Sequence, residues 1–239
     1  MNVIVCKDKK EVAEKAYEVM KEVVVNKPTA VLGLATGSSP IGLYGEMIAD
    51  YKAGNVSYKD VTTFNLDEYV GIAKDHPESY STFMHKELFD HIDVKEANVH
   101  LPYGNTQADC DAYEKAMSDV RVDIQVLGIG RNGHIGFNEP GTSFDSLTHI
   151  VSLDQKTIED NARFFDNDVT KVPKQAISMG IATIMKAKKI LLIATGENKA
   201  DAVEAMVNGP IDESMPASIL QNHDNVVVFV DEAAASKLK

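Results

Sequence analysis

Two adjacent acids, Asp67 and Glu68, follow the apolar run VTTFNL at 61–66. A carboxylate at the end of a strand can abstract a proton from carbon, but an aspartate in water, with a pKa of about 3.9, is a weak base until burial raises that pKa. In the structural alternative, Asp67 caps the next turn and Glu68 faces solvent. The residue types therefore indicate a candidate general base and leave open which acid it is.

A glycine-rich segment, GIGRNGHIGFNEPG at 128–141, contains His134 and Glu139, and we call it the glycine loop. Glycine adds no packing and costs conformational entropy, so this density indicates a loop shaped around a ligand. Histidine exchanges protons at neutral pH, and a nearby carboxylate can orient it and stabilise its charged form. A metal site is the rival interpretation, but neither an HExxH pattern nor a second nearby histidine is present. The remaining alternative is a structural histidine in a convoluted loop.

The turn ATGSSP follows the apolar run at 30–34 and precedes a predicted helix. Its candidate anion-binding residues are Thr36, Gly37, Ser38 and Ser39. Hydroxyl groups, an open backbone at glycine and the free N–H groups of a helix start together favour an anion. The same residues also fit an ordinary turn in which Ser39 is the N-cap and Pro40 is the first helical residue.

A lysine, Lys199, is predicted in the first turn of the helix that follows the run at 189–194. A cation there opposes the helix dipole at a cost of roughly a few tenths of a kcal/mol. A bound anion would remove this conflict, whereas the alternative is an exposed surface lysine.

The order of apolar and amphipathic segments predicts how these candidates are positioned. Strands are predicted at 3–5, 30–34, 61–66, 122–128, 189–194 and 226–230. Helices are predicted at 8–25, 40–52, 78–89, 107–119 and 197–207. This alternation predicts an α/β fold with a mostly parallel central sheet flanked by helices, whose strand ends meet at one ligand-binding edge. The stretch 140–180 has no clear pattern.

The composition excludes several classes of protein. The 239 residues are 44% hydrophobic, which is enough for one domain over 1–239, and the net charge of −12 argues against nucleic-acid binding. No apolar run reaches the roughly 18 residues that cross a bilayer, and the charged N-terminus does not resemble a signal peptide, so we expect a cytoplasmic protein without a membrane partner. Cys6 and Cys110 are predicted to be free thiols.

Six longer motifs occur in a characteristic order. They are LATGSSP at 34–40, TTFNLDEYVGI at 62–72, HPESYSTFMHKELFDH at 76–91, GIGRNGHIGFNEPGTSF at 128–144, NARFF at 161–165 and ATGENKA at 194–200. On these motifs the whole chain resembles the glucosamine-6-phosphate deaminases. The resemblance implies a Rossmann-like three-layer sandwich shared with ribose-5-phosphate isomerase and 6-phosphogluconolactonase. It also implies conversion of glucosamine 6-phosphate and water into fructose 6-phosphate and ammonia, without a metal or an organic cofactor.

The resemblance assigns a role to each matching residue. Asp67 is the base that takes a proton from C2 and returns one at C1, and His134 carries the proton for ring opening with Glu139 and Asn132 as partners. The substrate-binding set that it implies is Thr36, Gly37, Ser38, Ser39, Glu68, Arg163 and Lys199.

Two departures from the better-known enterobacterial branch stand out. Asn132 replaces an aspartate; it can still accept a hydrogen bond from the imidazole but brings no charge, which leaves the electrostatic role to Glu139. His149 and Val151 replace basic residues with which hexameric members bind an allosteric N-acetylated sugar phosphate. The chain also ends soon after the last predicted strand, so we expect a monomer and not a hexamer.

Two rival functions remain. A 6-phosphogluconolactonase would keep the turn at 36–39 and a Gly-His loop but would not need Asp67, and FNEP at 137–140 favours the deaminase. A noncatalytic sugar-phosphate sensor would need an effector surface or a DNA-binding segment, and no helix-turn-helix or basic extension is visible.

Overall fold

A seven-stranded sheet, parallel throughout, forms the centre of the protein. The computed structural model describes residues 1–238. Its strands are β1 (Asn2–Cys6), β2 (Val31–Leu34), β3 (Thr62–Asn65), β4 (Asp67–Tyr69), β5 (Val99–His100), β6 (Ile124–Leu127), β7 (His149–Ser152), β8 (Gln175–Ser178), β9 (Ile190–Ala194) and β10 (Val226–Asp231). The central sheet has the order β1-β10-β9-β6-β2-β3-β5.

The six predicted strands are all present, and the mostly parallel α/β fold is confirmed. Strands β2, β6 and β9 are buried along their whole length, as expected for continuous apolar runs covered on both faces. A large hydrophobic core extends from this sheet to the helices around it. The central strands therefore provide a rigid base for the loops that leave their carboxyl ends.

Seven α-helices are formed by residues 1–238. They are α1 (Lys9–Asn26), α2 (Ile41–Lys52), α3 (Tyr80–Glu87), α4 (Gln107–Ser118), α5 (Gln155–Asn161), α6 (Ile181–Met185) and α7 (Ala200–Asn208). Short 3₁₀ turns cover Phe89–His91, Glu96–Asn98, Ala162–Phe164, Glu197–Lys199 and Pro216–Asn222. The five predicted helices are confirmed, with ends shifted by up to three residues.

A side chain caps the start of helices α1, α3, α4 and α5, but not that of α2. Asp8 accepts a hydrogen bond from the N–H of Glu11 at the start of α1, and Thr106 and Asp109 form a capping box at the start of α4. Ser39 does not cap α2: the N-cap is Pro40, and no side chain bonds to the first turn. The capping alternative for Ser39 was therefore wrong.

A second, antiparallel sheet of order β4-β8-β7 was not predicted. Leu66 joins the two sheets: its N–H bonds to the carbonyl of Leu34 in the central sheet, and its carbonyl accepts the N–H of Met179 beside the small one. The small sheet packs on its own hydrophobic cluster, which includes Tyr69 and Phe137. Asp67 and Glu68 thus lie in a strand and not in a loop.

The stretch 140–180 is ordered around β7, α5 and β8, although its sequence has no clear period. Asp166 and Asn167 adopt left-handed backbone conformations, with φ of 55° and 59°. The predicted domain end at residue 239 lies outside the described residues, and a single domain stays a prediction. Within 1–238 no helix is both long and apolar enough to span a membrane, and Cys6 and Cys110 are buried free thiols.

Candidate active site

A cavity of about 440 Å³ opens where β2, β3, β6 and β9 end, four neighbouring strands of the central sheet. The predicted site residues that line it are Thr36, Gly37, Ser38, Ser39, Asp67, His134, Arg163 and Lys199. Helix α5 and the 3₁₀ turn after it supply a further wall, with Thr157, Asp160, Asn161 and Phe164. Parallel strands place all their carboxyl ends at one edge, so residues far apart in the sequence meet here.

Asp67 lies at the start of β4 and faces the cavity, with only 6% of its surface exposed. Burial, and secondarily the neighbouring charge of Glu68, raise the pKa of Asp67 to about 8. The glycine loop approaches this carboxyl closely: a Cβ on Gly136 would lie 3.6 Å from Asp67 Oδ2. Asp67 is therefore an acid that can hold or release a proton near neutral pH.

Glu68 points away from the cavity and is fully buried. Its carboxylate accepts the backbone N–H groups of Tyr69 at 2.9 Å, Tyr80 at 3.0 Å and Ser81 at 3.1 Å. Burial raises its pKa, and these three hydrogen bonds partly offset that shift. Glu68 thus fixes the start of α3 against β4 and is not among the residues that line the cavity, and its substrate-binding role stays a prediction. The solvent-facing alternative was wrong, because the side chain is fully buried.

His134 lies within the glycine loop with its ring against Gly130, where a Cβ would overlap the imidazole. Its Nδ1 atom is 3.4 Å from Oε2 of Glu139 and has no hydrogen-bond partner of good geometry among residues 1–238. The contact is an ion pair when the ring is protonated. The arrangement suits a ring that gains and loses a proton beside a fixed negative charge.

Glu139 stands behind His134 and outside the cavity. It accepts hydrogen bonds from the Thr157 hydroxyl at 2.6 Å and from the Asn132 amide at 2.8 Å. Burial opposes its ionisation, but His134, Thr157 and Asn132 outweigh burial and lower the pKa of Glu139 to about 2. The carboxylate is therefore charged at neutral pH.

Asn132 holds Glu139 and not the imidazole. Its Nδ2 donates to Glu139, and its Oδ1 accepts the backbone N–H of His134 at 3.3 Å. Asn132 could have accepted a hydrogen bond from the imidazole, but the structure forms the two bonds to Glu139 and to the loop backbone instead. Among residues 1–238, Glu139 is the carboxylate within ion-pair distance of His134.

Arg163 and Lys199 make one part of the cavity basic, and we call this part the basic end of the cavity. Arg163 Nη2 donates to Ser38 Oγ at 3.4 Å, and Lys199 Nζ donates to the carbonyl of Ile129 at 2.7 Å. Burial lowers the pKa of Lys199, with a further contribution from Arg163. Lys199 ends a 3₁₀ turn and is the N-cap of α7, one residue before the helix in which it was predicted. These donors can hold an anion of phosphate type.

Two buried side chains hold the loops that carry these donors. The Tyr44 hydroxyl donates to the Ala35 carbonyl at 2.6 Å and accepts the Ala35 N–H at 3.2 Å, directly before the turn at 36–39. The Asp231 carboxylate accepts the N–H of Gly196, three residues before Lys199. Neither was identified from the sequence, because a buried Tyr or Asp has no distinguishing local pattern.

Other cavity residues also escaped the sequence analysis. Asn161, Arg131 and Tyr80 lie inside the motifs at 161–165, 128–144 and 76–91, so membership of a motif could have pointed to them. Thr157 and Asp160 lie in the stretch without a clear pattern and gave no signal. Within residues 1–238, no group of three or more His, Cys, Asp or Glu side chains is close enough to share a metal ion.

Comparison with known proteins places the chain among relatives with the same architecture. A relative from Shewanella woodyi, named glucosamine-6-phosphate deaminase, is 52% identical across all of this chain and 91% of its own length. The solved structure of a monomeric glucosamine-6-phosphate deaminase matches with a TM-score of 0.97 and 45% identity, covering 99% of this chain and 100% of that one.

A 6-phosphogluconolactonase from Trypanosoma brucei also superposes, with a TM-score of 0.81 and coverage of 100% of this chain and 98% of that one. At 18% identity that likeness concerns the fold alone. The family model for glucosamine-6-phosphate isomerases and 6-phosphogluconolactonases matches residues 8–229. With nearly the whole chain covered, the protein belongs to the family of glucosamine-6-phosphate isomerases and 6-phosphogluconolactonases.

Proposed function

We propose that this protein is a glucosamine-6-phosphate deaminase that converts glucosamine 6-phosphate and water into fructose 6-phosphate and ammonia. One observation carries the proposal: a buried carboxyl, Asp67, lies in the same cavity as the basic residues Arg163 and Lys199. This reaction requires a base that removes a proton from carbon and a site that binds the phosphate. The 52% identical relative that bears this name supports the assignment.

In the proposed mechanism the first step opens the sugar ring. His134 takes the proton of the C1 hydroxyl and delivers it to the ring oxygen as the C1–O5 bond breaks, which leaves an aldehyde at C1. Glu139 stabilises the imidazole while it is charged, since its own low pKa keeps it ionised. Asn132 and Thr157 keep the Glu139 carboxylate oriented toward the ring.

The second step moves a proton between neighbouring carbons. Asp67 removes the C2 proton to give an enolamine and returns a proton to C1, which leaves a C=N bond at C2. Water adds to this bond, and ammonia leaves as the C–N bond breaks, giving the ketose. A pKa of about 8 suits a carboxyl that must both accept and donate a proton near neutral pH.

The phosphate is assigned to the basic end of the cavity. Arg163 and Lys199 supply charged donors, and the turn at 36–39 supplies hydroxyl and backbone donors. Charge-assisted hydrogen bonds of this kind hold one end of the substrate while the other end faces Asp67 and His134.

The decisive assay incubates the purified protein with glucosamine 6-phosphate and measures ammonia and fructose 6-phosphate together. We expect both products in equal amounts. A parallel reaction with 6-phosphogluconolactone tests the rival activity in this family. Lactone hydrolysis without release of ammonia from the amino sugar would overturn the assignment.

We further propose that the protein is a monomer and lacks the allosteric site of hexameric relatives. The likeness to a monomeric deaminase supports this. Val151 is apolar and belongs to the small hydrophobic cluster, so it cannot bind an anion, and the Nδ1 atom of His149 is engaged by the Leu147 carbonyl at 2.6 Å. Light scattering after size-exclusion chromatography tests the oligomeric state, and rates with and without an N-acetylated sugar phosphate test activation. The buried free thiols of Cys6 and Cys110 are consistent with the proposed cytoplasmic location.

A further inference from the structure

An ion pair that has no role in the proposed mechanism lies in the wall of the cavity. Arg131 Nε donates to Asp160 Oδ2 at 2.9 Å, and Arg131 Nη2 donates to Asp160 Oδ1 at 2.5 Å. Both side chains are nearly half exposed, at 45% and 43%, so a ligand in the cavity can reach them. The pair joins the glycine loop to α5.

The pair belongs to the basic end of the cavity. Arg131 is two residues from Ile129, whose carbonyl accepts the Lys199 ammonium, and Asp160 is three residues before Arg163. The charges also interact with one another: burial lowers the pKa of Lys199 and so do Arg163 and Arg131, whereas Asp160 raises it. A carboxylate is thus present among the cations that would hold a phosphate.

The geometry of the pair resembles that of an arginine bound to a phosphate. A guanidinium presents two parallel N–H groups to a carboxylate or to a phosphate in the same way. In the structure Asp160 accepts hydrogen bonds from this donor pair of Arg131. The three cations Arg131, Arg163 and Lys199 together with Asp160 have a net charge of two, equal in size to that of a phosphate dianion.

We propose that Asp160 is an internal competitor of the substrate phosphate: its carboxylate competes for the guanidinium of Arg131 and thereby weakens the binding of phosphorylated substrate and product. This inference rests on the proposed function, because it requires the phosphate to lie at this end of the cavity. Arg131 then becomes an additional phosphate-binding residue, and Asp160 sets how tightly the site holds its ligand.

Opposite effects of two substitutions test the proposal. Asp160→Asn frees Arg131 and removes a negative charge, so the Kd for inorganic phosphate and the KM for glucosamine 6-phosphate should both fall, by about 3-fold to 10-fold. Arg131→Gln leaves Asp160 unpaired beside the phosphate, so both constants should rise by about 10-fold or more. In the double variant both charges are gone, so its Kd for phosphate and its KM should lie within about 3-fold of the parent values.

A purely structural ion pair gives a different result. If the pair only fastens α5 to the glycine loop, both single variants lose the same contact and weaken binding in the same direction, which would overturn the proposal. Asp166→Asn is the matched control: it removes the carboxylate of the exposed Asp166–Lys171 pair just beyond Arg163 and outside the cavity, and it should leave both constants unchanged.

Calorimetry with inorganic phosphate separates this proposal from the proposed function, because it does not depend on turnover. Opposite shifts in phosphate Kd in a protein that releases no ammonia would support the competitor and refute the deaminase. Normal turnover, together with phosphate Kd shifts in the same direction in both single variants, would support the deaminase and refute the competitor. A parent protein that binds no inorganic phosphate at millimolar concentration would refute the competitor.

Discussion

The imidazole of His134 lies directly against Gly130, and the two residues are joined by a hydrogen bond from the Gly130 N–H to the His134 carbonyl at 2.9 Å. No side chain fits between the ring and the backbone there. This contact holds the proposed proton carrier in one orientation, and it can be changed by adding a single methyl group.

Gly130→Ala should therefore displace the ring and lower kcat by about 10-fold to 100-fold, since small misplacements of a catalytic group have effects of this size. The backbone at Gly130 does not need a positive φ, so the fold should persist. Gly45→Ala is the control, because a Cβ there meets no atom within 4 Å and an alanine within α2 should stabilise the protein slightly. Steady-state kinetics and thermal melting distinguish the two variants. An unchanged kcat in Gly130→Ala would mean that the ring position is not important.

Asp67→Asn should lower kcat by about 100-fold to 10,000-fold, because it removes the proposed base without changing the size of the side chain. KM should change by only a few-fold, since the proposed phosphate-binding residues Arg163 and Lys199 are unchanged. The exposed Asp75 provides the control, and Asp75→Asn should leave both parameters unchanged. A variant at position 67 with parental kcat would exclude this carboxyl from the reaction.

The pKa of about 8 for Asp67 predicts two pH dependences. In the free enzyme kcat/KM should rise with pH and level off above about pH 8, as the carboxyl ionises.

The same raised pKa of Asp67 also affects stability. Because the folded pKa lies above the unfolded value of 3.8, the unfolded chain loses this proton first, so this group destabilises the fold progressively between about pH 4 and pH 8. The gain in Tm from Asp67→Asn should accordingly grow from pH 5 to pH 8. A gain that is constant with pH would contradict the raised pKa.

The carboxyl of Glu139 should stabilise the fold, in contrast to that of Asp67, because its pKa is lowered and not raised. Its folded pKa of about 2 lies below the ordinary glutamate value of 4.5, so it contributes stability above about pH 4.5 that is lost as the pH falls toward 2. The shift corresponds to roughly 3 kcal/mol. Glu139→Gln should therefore lower the free energy of unfolding by about that amount at pH 7 and by much less at pH 3, measured by urea denaturation. The exposed Glu18, as Glu18→Gln, should show no such difference.

Arg163→Ala should raise the KM for glucosamine 6-phosphate by about 10-fold to 100-fold, the range expected for a lost charge-assisted hydrogen bond in a partly buried site. The effect on kcat should be smaller. Arg163→Lys should recover part of the affinity, because an ammonium keeps the charge and loses the two-pronged geometry. Arg121→Ala removes an exposed arginine that donates a hydrogen bond to the Lys186 carbonyl outside the cavity, and it should not alter KM. Equal KM values for the parent and Arg163→Ala would remove Arg163 from the phosphate site.

The strands of the central sheet could be predicted because each is a continuous apolar run bounded by polar turns. The edge at which their loops meet follows from parallel pairing, and parallel pairing by itself predicts that Asp67, His134 and Lys199 lie near one another. The small sheet could not be predicted in the same way. Strand β4 has three residues, two of which are acids, and it is a strand because β8 pairs with it.

The contacts behind the cavity depend on the packing of distant segments. Glu139 meets Thr157 across 18 positions, and Arg131 meets Asp160 across 29. Neither spacing has a local periodicity that a sequence pattern could reveal.

Residue types and their order were thus sufficient for the central sheet and for naming Asp67, His134 and Lys199 as candidates, because hydrophobic periodicity and turn chemistry act over a few neighbouring residues. Arg163 was identified only through the family resemblance. The protonation of Asp67, the inward burial of Glu68 and the pairing of Arg131 required the folded chain. Each depends on which groups are excluded from water and which charges come within a few ångströms, and those distances exist only after helices and loops have packed around the sheet.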